Sequence, residues 1–305
     1  MAQGYTRFTI IDDGKTMNSI RCLSATLLAV VLAACNAVPV KKPVEAVPMA
    51  TATHENLNAV LWMQTATEYE ATVRGVYAAA RVRLDLALAD PAWNALPVNE
   101  RSDGFESRSP AIIVDADETM IDNSPFQSRA VRDGGGFLYE NWQAWVHERR
   151  ARAMPGAVEF AKYAADRGVT IYFITNRDAP AETESTVANL RALGFPIASD
   201  AANVLPRGDT RAPGREKSER RRWVGAHHRV LLLLGDNLGD FLDGVGTTIA
   251  ARQALIAPYA DWWGVRWFMQ PNPTYGSWEA ALLLECGDSG KSDPIACKRE
   301  TMRLE

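Results

Sequence analysis

AIIVDADETMIDNSP, residues 111–125, places two aspartates directly after a short apolar run. The run from Ala111 to Val114 has the length and composition of a buried strand. Asp115 and Asp117 follow it, two positions apart. A buried carboxylate is unfavourable unless it is paired, hydrogen-bonded or bound to a metal. The rest of the sequence must therefore supply a partner for both side chains.

Two further apolar runs, residues 169–175 and 229–236, alternate with helical patterns downstream. Strand and helix in alternation predict an α/β fold with a parallel sheet covered by helices on both faces. Ligands of such sheets lie beyond the carboxyl ends of the strands. Polar residues follow all three runs, and we expect them to meet at one edge of the sheet: Asp115 and Asp117, Thr175 and Asn176, Asp236 and Asp240.

The chemistry expected at this edge is metal-assisted phosphoryl transfer. Four aspartates repel one another unless a cation lies among them, and an oxygen-only ligand set favours Mg²⁺ over zinc. The four histidines lie apart from these strand ends in the sequence. A carboxylate beside Mg²⁺ can attack phosphorus, and a second carboxylate can protonate the leaving oxygen and later activate water.

Four motifs, in order, resemble those of the haloacid dehalogenase (HAD) superfamily in its phosphatase form. They are DADET (115–119), ITN (174–176), the lysine of REKSERRR (215–222) and GDNLGDF (235–241). Residues 55–280 more specifically resemble the class C bacterial acid phosphatases, which are lipoprotein phosphatases that include outer-membrane 5′-nucleotidases. The resemblance implies a Rossmann-like parallel sheet with helices on both faces and a small, mainly helical cap.

The resemblance also implies a role for each motif residue. Asp115 would be the nucleophile and a Mg²⁺ ligand, and Asp117 the general acid/base that also offers its main-chain carbonyl to the metal. Asp236 and Asp240 would complete the metal site, Asp240 either directly or through a water molecule. Thr175, Asn176 and Lys217 would bind the phosphoryl oxygens. Arg220 is the alternative to Lys217 if the loop length is misjudged.

Aromatic residues suggest what the substrate carries. Trp142 lies in the predicted cap, and Tyr275 lies in NPTYGSWE after the last strand. In the class C family, aromatic residues in these motifs hold a nucleobase between them, which fits the stacking of flat rings. Phe126 is a further substrate-binding candidate, and Trp145 is the competing choice to Trp142. A nucleoside 5′-monophosphate is the expected substrate. A non-nucleotide phosphomonoester, or a non-enzymatic lipoprotein on the same fold, is the alternative.

The first 53 residues predict export and attachment to a membrane. Residues 1–35 read as a signal peptide, with Met17 as an alternative start and LAAC (32–35) as a lipobox. Cys35 would then carry the lipid and anchor an exported protein, with the outer membrane favoured. Residues 36–53 predict a flexible tether. The phosphatase domain is expected over 54–285, with its cap insertion at about 123–152 and a C-terminal tail over 286–305.

Charge and cysteine content add two constraints. The net charge of −4 gives no electrostatic support for binding a nucleic acid polymer. Cys286 and Cys297 can close a small disulfide loop in an oxidising compartment. Two free thiols are equally compatible with the sequence.

Overall fold

The computed structural model describes residues 54–304, so the predicted signal peptide, Cys35 and the tether lie outside the described residues. The helices, in chain order, are α1 (Leu57–Thr65), α2 (Thr67–Ala89), α3 (Ser124–Asp133), α4 (Tyr139–Glu148), α5 (Ala157–Ala165), α6 (Thr183–Ala192), α7 (Lys217–His227), α8 (Ile249–Ile256), α9 (Ser277–Glu285), α10 (Asp288–Ser292) and α11 (Pro294–Glu300). The strands are β1 (Pro110–Val114), β2 (Ile121–Asp122), β3 (Arg152–Ala153), β4 (Thr170–Asp178), β5 (Val204–Arg207), β6 (Arg229–Gly235) and β7 (Trp267–Met269).

Five strands form the main sheet in the order β5-β4-β1-β6-β7, and each neighbouring pair is parallel. The strand that precedes the two aspartates, β1, is therefore central. It pairs Ile112 with Ile171 of β4 and Ile113 with Leu233 of β6. The predicted parallel α/β fold is confirmed.

Helices cover both faces of the sheet. Successive residues of β1 point to opposite sides, so β1 contributes side chains to an apolar cluster on each face. Ile112 and Val114 pack in one apolar cluster with α2 and α5, through residues such as Leu84 and Phe160. Ala111 and Ile113 pack in a second cluster, which includes Val224 of α7. All four β1 residues from Ala111 to Val114 are buried.

The predicted cap region follows β1. Strands β2 and β3 pair antiparallel, Ile121 with Ala153 and Asp122 with Arg152, and form a two-stranded ribbon. Helices α3 and α4 lie between these two strands in the chain. The ribbon therefore closes the base of the helical insertion and holds it at the carboxyl end of β1.

The segment after Cys286, predicted as a C-terminal tail, contains the two short helices α10 and α11. A disulfide joins Cys286 to Cys297 with a Cα–Cα distance of 5.9 Å, so of the two possibilities left open by the sequence the structure has the paired one. Among residues 54–304, each helix is too short or too polar to cross a bilayer.

Candidate active site

The carboxyl ends of β1, β4 and β6 bring the sequence-predicted residues to one edge of the sheet. Asp115 continues β1, and its amide donates to the Leu234 carbonyl at 2.9 Å. Thr175 lies in β4, beside the end of β1, and Asp236 follows the last residue of β6. Parallel pairing with β1 as the central strand thus converts three separate sequence positions into one site.

Three carboxylates form a cluster at this edge. Asp115, Asp236 and Asp240 each place one oxygen within 4.8 Å of the others. Burial raises the pKa of Asp115 to about 7, although Lys217 opposes the shift. Burial also raises the pKa of Asp236 well above its usual range, and the charges of Asp240 and Asp115 add to the effect. Such repulsion among buried oxygens is what a divalent cation would relieve.

Lys217, the first residue of α7, lies between two of these carboxylates. Its Nζ donates to Asp115 Oδ1, and to Asp240 Oδ1 at 2.7 Å. Burial alone would lower the pKa of Lys217, but Asp115 and Asp240 outweigh it and hold that pKa above its usual value. Arg220, the alternative in the sequence, instead donates to the Thr175 carbonyl at 2.5 Å and to Asn176 Oδ1 at 3.1 Å.

The side-chain hydrogen bonds of Asp117 go to residues outside the three-carboxylate cluster. Its Oδ1 accepts from Arg177 Nη2 and from Asn123 Nδ2, each at 2.8 Å, and its Oδ2 accepts from the Thr175 hydroxyl at 3.3 Å. The predicted metal contact through its main-chain carbonyl stays a prediction. The side chain is free of the cluster and is oriented by neutral and cationic donors, as an acid/base residue requires.

Arg177 was missed in the sequence although it is the main ionic partner of Asp117. Its side chain is 1% exposed, and its Nε and Nη2 both contact the Asp117 carboxylate. Alternate residues of a strand share a face, so Arg177 lies on the same side of β4 as Thr175. An arginine two positions after the predicted phosphate-binding threonine was the signal available.

Hydrogen bonds orient the carboxylates of Asp236 and Asp240, which follow β6. Thr119 and Asn272 donate to the two oxygens of Asp236, at 3.2 and 2.8 Å. Asn237 begins a short helical turn, and its amide donates to Asp240 Oδ2 at 2.9 Å. Asn272 is a second contact that the motifs did not reveal, because it lies 36 residues from Asp236 in the chain.

A cavity of about 780 Å³ opens over the cluster, and its wall carries the predicted aromatic residues. Trp142, which is half-buried, lies edge-to-face with Phe126 at a ring-centroid distance of 5.2 Å. Trp145 is buried and donates its indole N–H to Asn123 Oδ1 at 2.8 Å. Of the two tryptophans, Trp142 is therefore the one that lines the cavity. Asn176 is exposed and also lines it.

Tyr275 lines the same cavity from the loop between β7 and α9. Its hydroxyl donates to the carboxylate of Glu118, which is fully buried. Burial raises the pKa of Glu118 to about 8, and the charge of Asp117 contributes. The side chain of Glu118 therefore serves as a hydrogen-bond acceptor between the loop after β1 and the loop that carries Tyr275.

Comparisons with known proteins agree with this geometry. The family model for the acid phosphatases of HAD subfamily IIIB matches residues 16–278. The class C acid phosphatase from Bacillus anthracis is 31% identical, with 83% of this chain and 98% of that chain covered and a TM-score of 0.69. A second structure of the Bacillus anthracis enzyme, with tungstate bound, has the same identity and coverage and a TM-score of 0.71.

Proposed function

Because this chain belongs to the acid phosphatases of HAD subfamily IIIB and is an enzyme that hydrolyses phosphate esters, we propose that it acts on nucleoside 5′-monophosphates with Mg²⁺, through an aspartyl-phosphate intermediate. One observation carries the proposal. The carboxylate cluster and Lys217 lie in the same cavity as the aromatic side chains of Trp142 and Tyr275. A phosphate and a planar base, joined by one ribose, match that arrangement.

Asp115 is the proposed nucleophile. Its carboxylate attacks phosphorus as the bond to the ester oxygen breaks, and the contact with Lys217 favours the ionised, nucleophilic form of Asp115 against the effect of burial. Asp117 gives its proton to the departing oxygen and then takes one from the water that hydrolyses the acyl phosphate. Thr175, Asn176 and Lys217 hold the non-bridging oxygens. The tungstate bound by the Bacillus anthracis relative supports an oxyanion as ligand, since tungstate is tetrahedral like phosphate.

Asp115, Asp236 and Asp240 are the side chains that would hold Mg²⁺. They offer carboxylate oxygens within 4.8 Å of one another, and hard oxygen ligands are those that Mg²⁺ prefers. The bound ion would neutralise charge on the phosphoryl oxygens. Among the residues described, Lys217 is the cation that contacts two members of the cluster.

Stacking explains the proposed preference for nucleotides. Trp142 and Tyr275 present aromatic surface to the cavity, and a nucleobase between aromatic rings gains roughly 1–3 kcal/mol. Every base has a flat face, so we expect activity on several nucleotides. Sugar phosphates, which have no base, should be poorer substrates.

The test combines a nucleophile variant with a substrate panel. Asp115→Asn should lower kcat on 5′-AMP and on p-nitrophenyl phosphate by at least about 10³-fold, since it removes the attacking carboxylate. Chelation should abolish wild-type activity and Mg²⁺ should restore it. 5′-AMP should exceed ribose 5-phosphate in kcat/KM.

Asp166→Asn, an exposed aspartate after α5, is the matched control and should hydrolyse all three substrates at the wild-type rate. Full activity of Asp115→Asn, or of exhaustively chelated enzyme, contradicts the mechanism. Equal kcat/KM for 5′-AMP and ribose 5-phosphate contradicts the nucleotide preference alone and favours a broader phosphomonoesterase.

We also propose that the protein is exported and lipid-anchored at Cys35, on the strength of LAAC after an apolar run. Full-length protein expressed in a bacterium should partition into the detergent phase, and Cys35→Ala should move it to the aqueous phase. Aqueous partitioning of both forms contradicts the anchor.

A further inference from the structure

Glu118 links the loop that holds the two catalytic aspartates to the loop that carries Tyr275. One carboxylate oxygen, Oε1, accepts from the Asn123 amide at 2.8 Å. The other, Oε2, accepts from the Tyr275 hydroxyl and, at 3.4 Å, from Asn123 Nδ2. Glu118 and Tyr275 are 157 positions apart in the chain. A carboxylate with this many partners and no solvent exposure is held in one orientation.

The backbone of Glu118 adds to this rigidity. Its φ is +55°, in the left-handed region, and its amide donates to the Ile121 carbonyl at 2.8 Å. A non-glycine residue in that region is kept there only when its surroundings determine it. The side chain therefore leaves the catalytic loop at a fixed position and direction.

Tyr275 depends on this carboxylate because its ring lies in an irregular loop. Thr274 and Gly276 flank it, and α9 begins only at Ser277. The hydroxyl of Tyr275 donates to Glu118, and Tyr275 lines the cavity that Trp142 also lines. A ring that is ordered before the ligand arrives loses less conformational entropy on binding.

We infer that Glu118 is a positioning residue that fixes the ring of Tyr275 for stacking on the substrate's base. The inference rests on the proposed nucleotide specificity and adds a residue that acts on base binding through the tyrosine hydroxyl. It separates two functions of Tyr275: the ring touches the base, and the hydroxyl holds the ring. Simple stacking needs only the ring.

Tyr275→Phe tests this, because it keeps the ring and removes the hydroxyl. The readout is the ratio of kcat/KM for 5′-AMP to kcat/KM for ribose 5-phosphate, which has no base. We expect Tyr275→Phe to lower the ratio by about 3- to 10-fold, the cost of ordering one free side chain. Partial loss of folded enzyme does not move the ratio, since both substrates see the same active fraction.

Glu118→Gln and the double variant complete the cycle. Glutamine keeps the shape of the glutamate side chain but offers one acceptor oxygen where Glu118 uses two. The ratio of kcat/KM for 5′-AMP to that for ribose 5-phosphate should therefore also fall in Glu118→Gln. If both residues act through one hydrogen bond, the kcat/KM ratio of the double variant should be no lower than that of the more strongly affected single variant. Fully multiplicative losses in the double variant contradict the inference.

Tyr163→Phe is the matched control. The Tyr163 hydroxyl also donates to a carboxylate, Asp85 Oδ2 at 2.6 Å, on the exposed surface, so this variant should keep the wild-type ratio. An unchanged ratio in Tyr275→Phe, with wild type clearly preferring 5′-AMP, overturns the inference and leaves the proposed function intact. A wild-type ratio near one removes the nucleotide preference itself, and the inference with it.

Discussion

Arg177 gives Asp117 an orientation that a lysine could not. Its planar guanidinium places two N–H groups against one carboxylate, and the contact is buried on the arginine side. Asn123 supplies a further hydrogen bond at 2.8 Å. An acid/base residue needs its proton aimed at the leaving oxygen, so Arg177 is expected to matter most for substrates whose leaving group must be protonated.

Arg177→Lys should therefore affect esters unequally. With an alkyl phosphate such as ribose 5-phosphate we expect kcat to fall roughly 10- to 100-fold, part of the contribution of general acid catalysis. With p-nitrophenyl phosphate, whose phenolate leaves without a proton, the fall should be much smaller. Steady-state rates on the two esters give the comparison. Arg152→Lys, in an exposed pair with Asp122, is the control. Equal losses on both esters would assign Arg177 a structural role only.

At the residue scale, the sequence predicted the groups that belong to ordered motifs and missed those defined by space. Asp115, Lys217, Asp236 and Asp240 carry motif spacing, and the structure brings them together. Arg177, Asn123 and Asn272 have no such spacing. Their partners lie 60, 6 and 36 residues away; the contacts of Arg177 and Asn272 form only when the strand ends meet, and that of Asn123 only when the loop after β1 folds back on itself.

At the element scale, the turn after β6 explains why position 235 is a glycine. The chain leaves β6 at Gly235, and the helical turn Leu238–Asp240 folds back so closely that a Cβ at position 235 would overlap the side chain of Asp240. The capping interaction of Asn237 fixes that turn. Glycine is therefore required for close approach, which places the Asp240 carboxylate beside Lys217.

Gly235→Ala should displace Asp240 and weaken the proposed metal site. We expect the Mg²⁺ affinity to fall roughly 10- to 100-fold, as when the groups that orient a metal ligand are lost, and calorimetric titration measures it. Gly75→Ala is the control. Gly75 lies in α2, and a Cβ added there would meet no atom within 4 Å, so this change should leave affinity unaltered and raise stability by about 0.5–1 kcal/mol. An unaltered affinity in Gly235→Ala would show that Asp240 does not contribute to metal binding.

Element length decided which parts of the fold were predictable. β1, β4 and β6 are apolar runs between helical patterns, and the sequence identified all three. The edge strands β5 and β7 have four and three residues, too few for a periodic pattern, and were not predicted. Helices α1 and α2 are separate because Ala66 between them has an extended backbone, and no proline or glycine marks that break in the sequence.

At the scale of the whole molecule, folding brings several carboxyl groups together out of water. Burial raises the pKa of Asp115 from 3.8 to about 7 and that of Glu118 from 4.5 to about 8, and it raises that of Asp236 as well. The unfolded chain releases these protons near pH 4, whereas the folded chain retains them. The stability that these protonated carboxyl groups contribute to the folded state is therefore fully present below about pH 4 and is lost as the pH rises through 7 to 8.

Metal-free protein should accordingly show a Tm that falls between pH 5 and pH 8, because over this window the folded state binds more protons than the unfolded state. Mg²⁺ competes with those protons, so its stabilisation should be larger at pH 8 than at pH 5. At 100 times its Kd, Mg²⁺ adds about 2.7 kcal/mol, or roughly 5–10 °C in Tm. Thermal unfolding in chelator and in Mg²⁺ across this range measures both effects.

Asp236→Asn isolates the contribution of the cluster to this pH dependence. It removes one carboxyl group whose pKa is raised and one proposed metal ligand. The fall of the metal-free Tm with rising pH should therefore be shallower, and the gain in Tm with Mg²⁺ should largely disappear. Burial lowers the pKa of His228, so its contribution to the pH dependence of Tm has the opposite sign. This contribution is the same in variant and wild type and cancels in their difference. A metal-free Tm with the same pH dependence in both proteins would mean that Asp236 is ionised in the folded state without metal. Lys217 and the donors from Thr119 and Asn272 would then suffice to hold the cluster together.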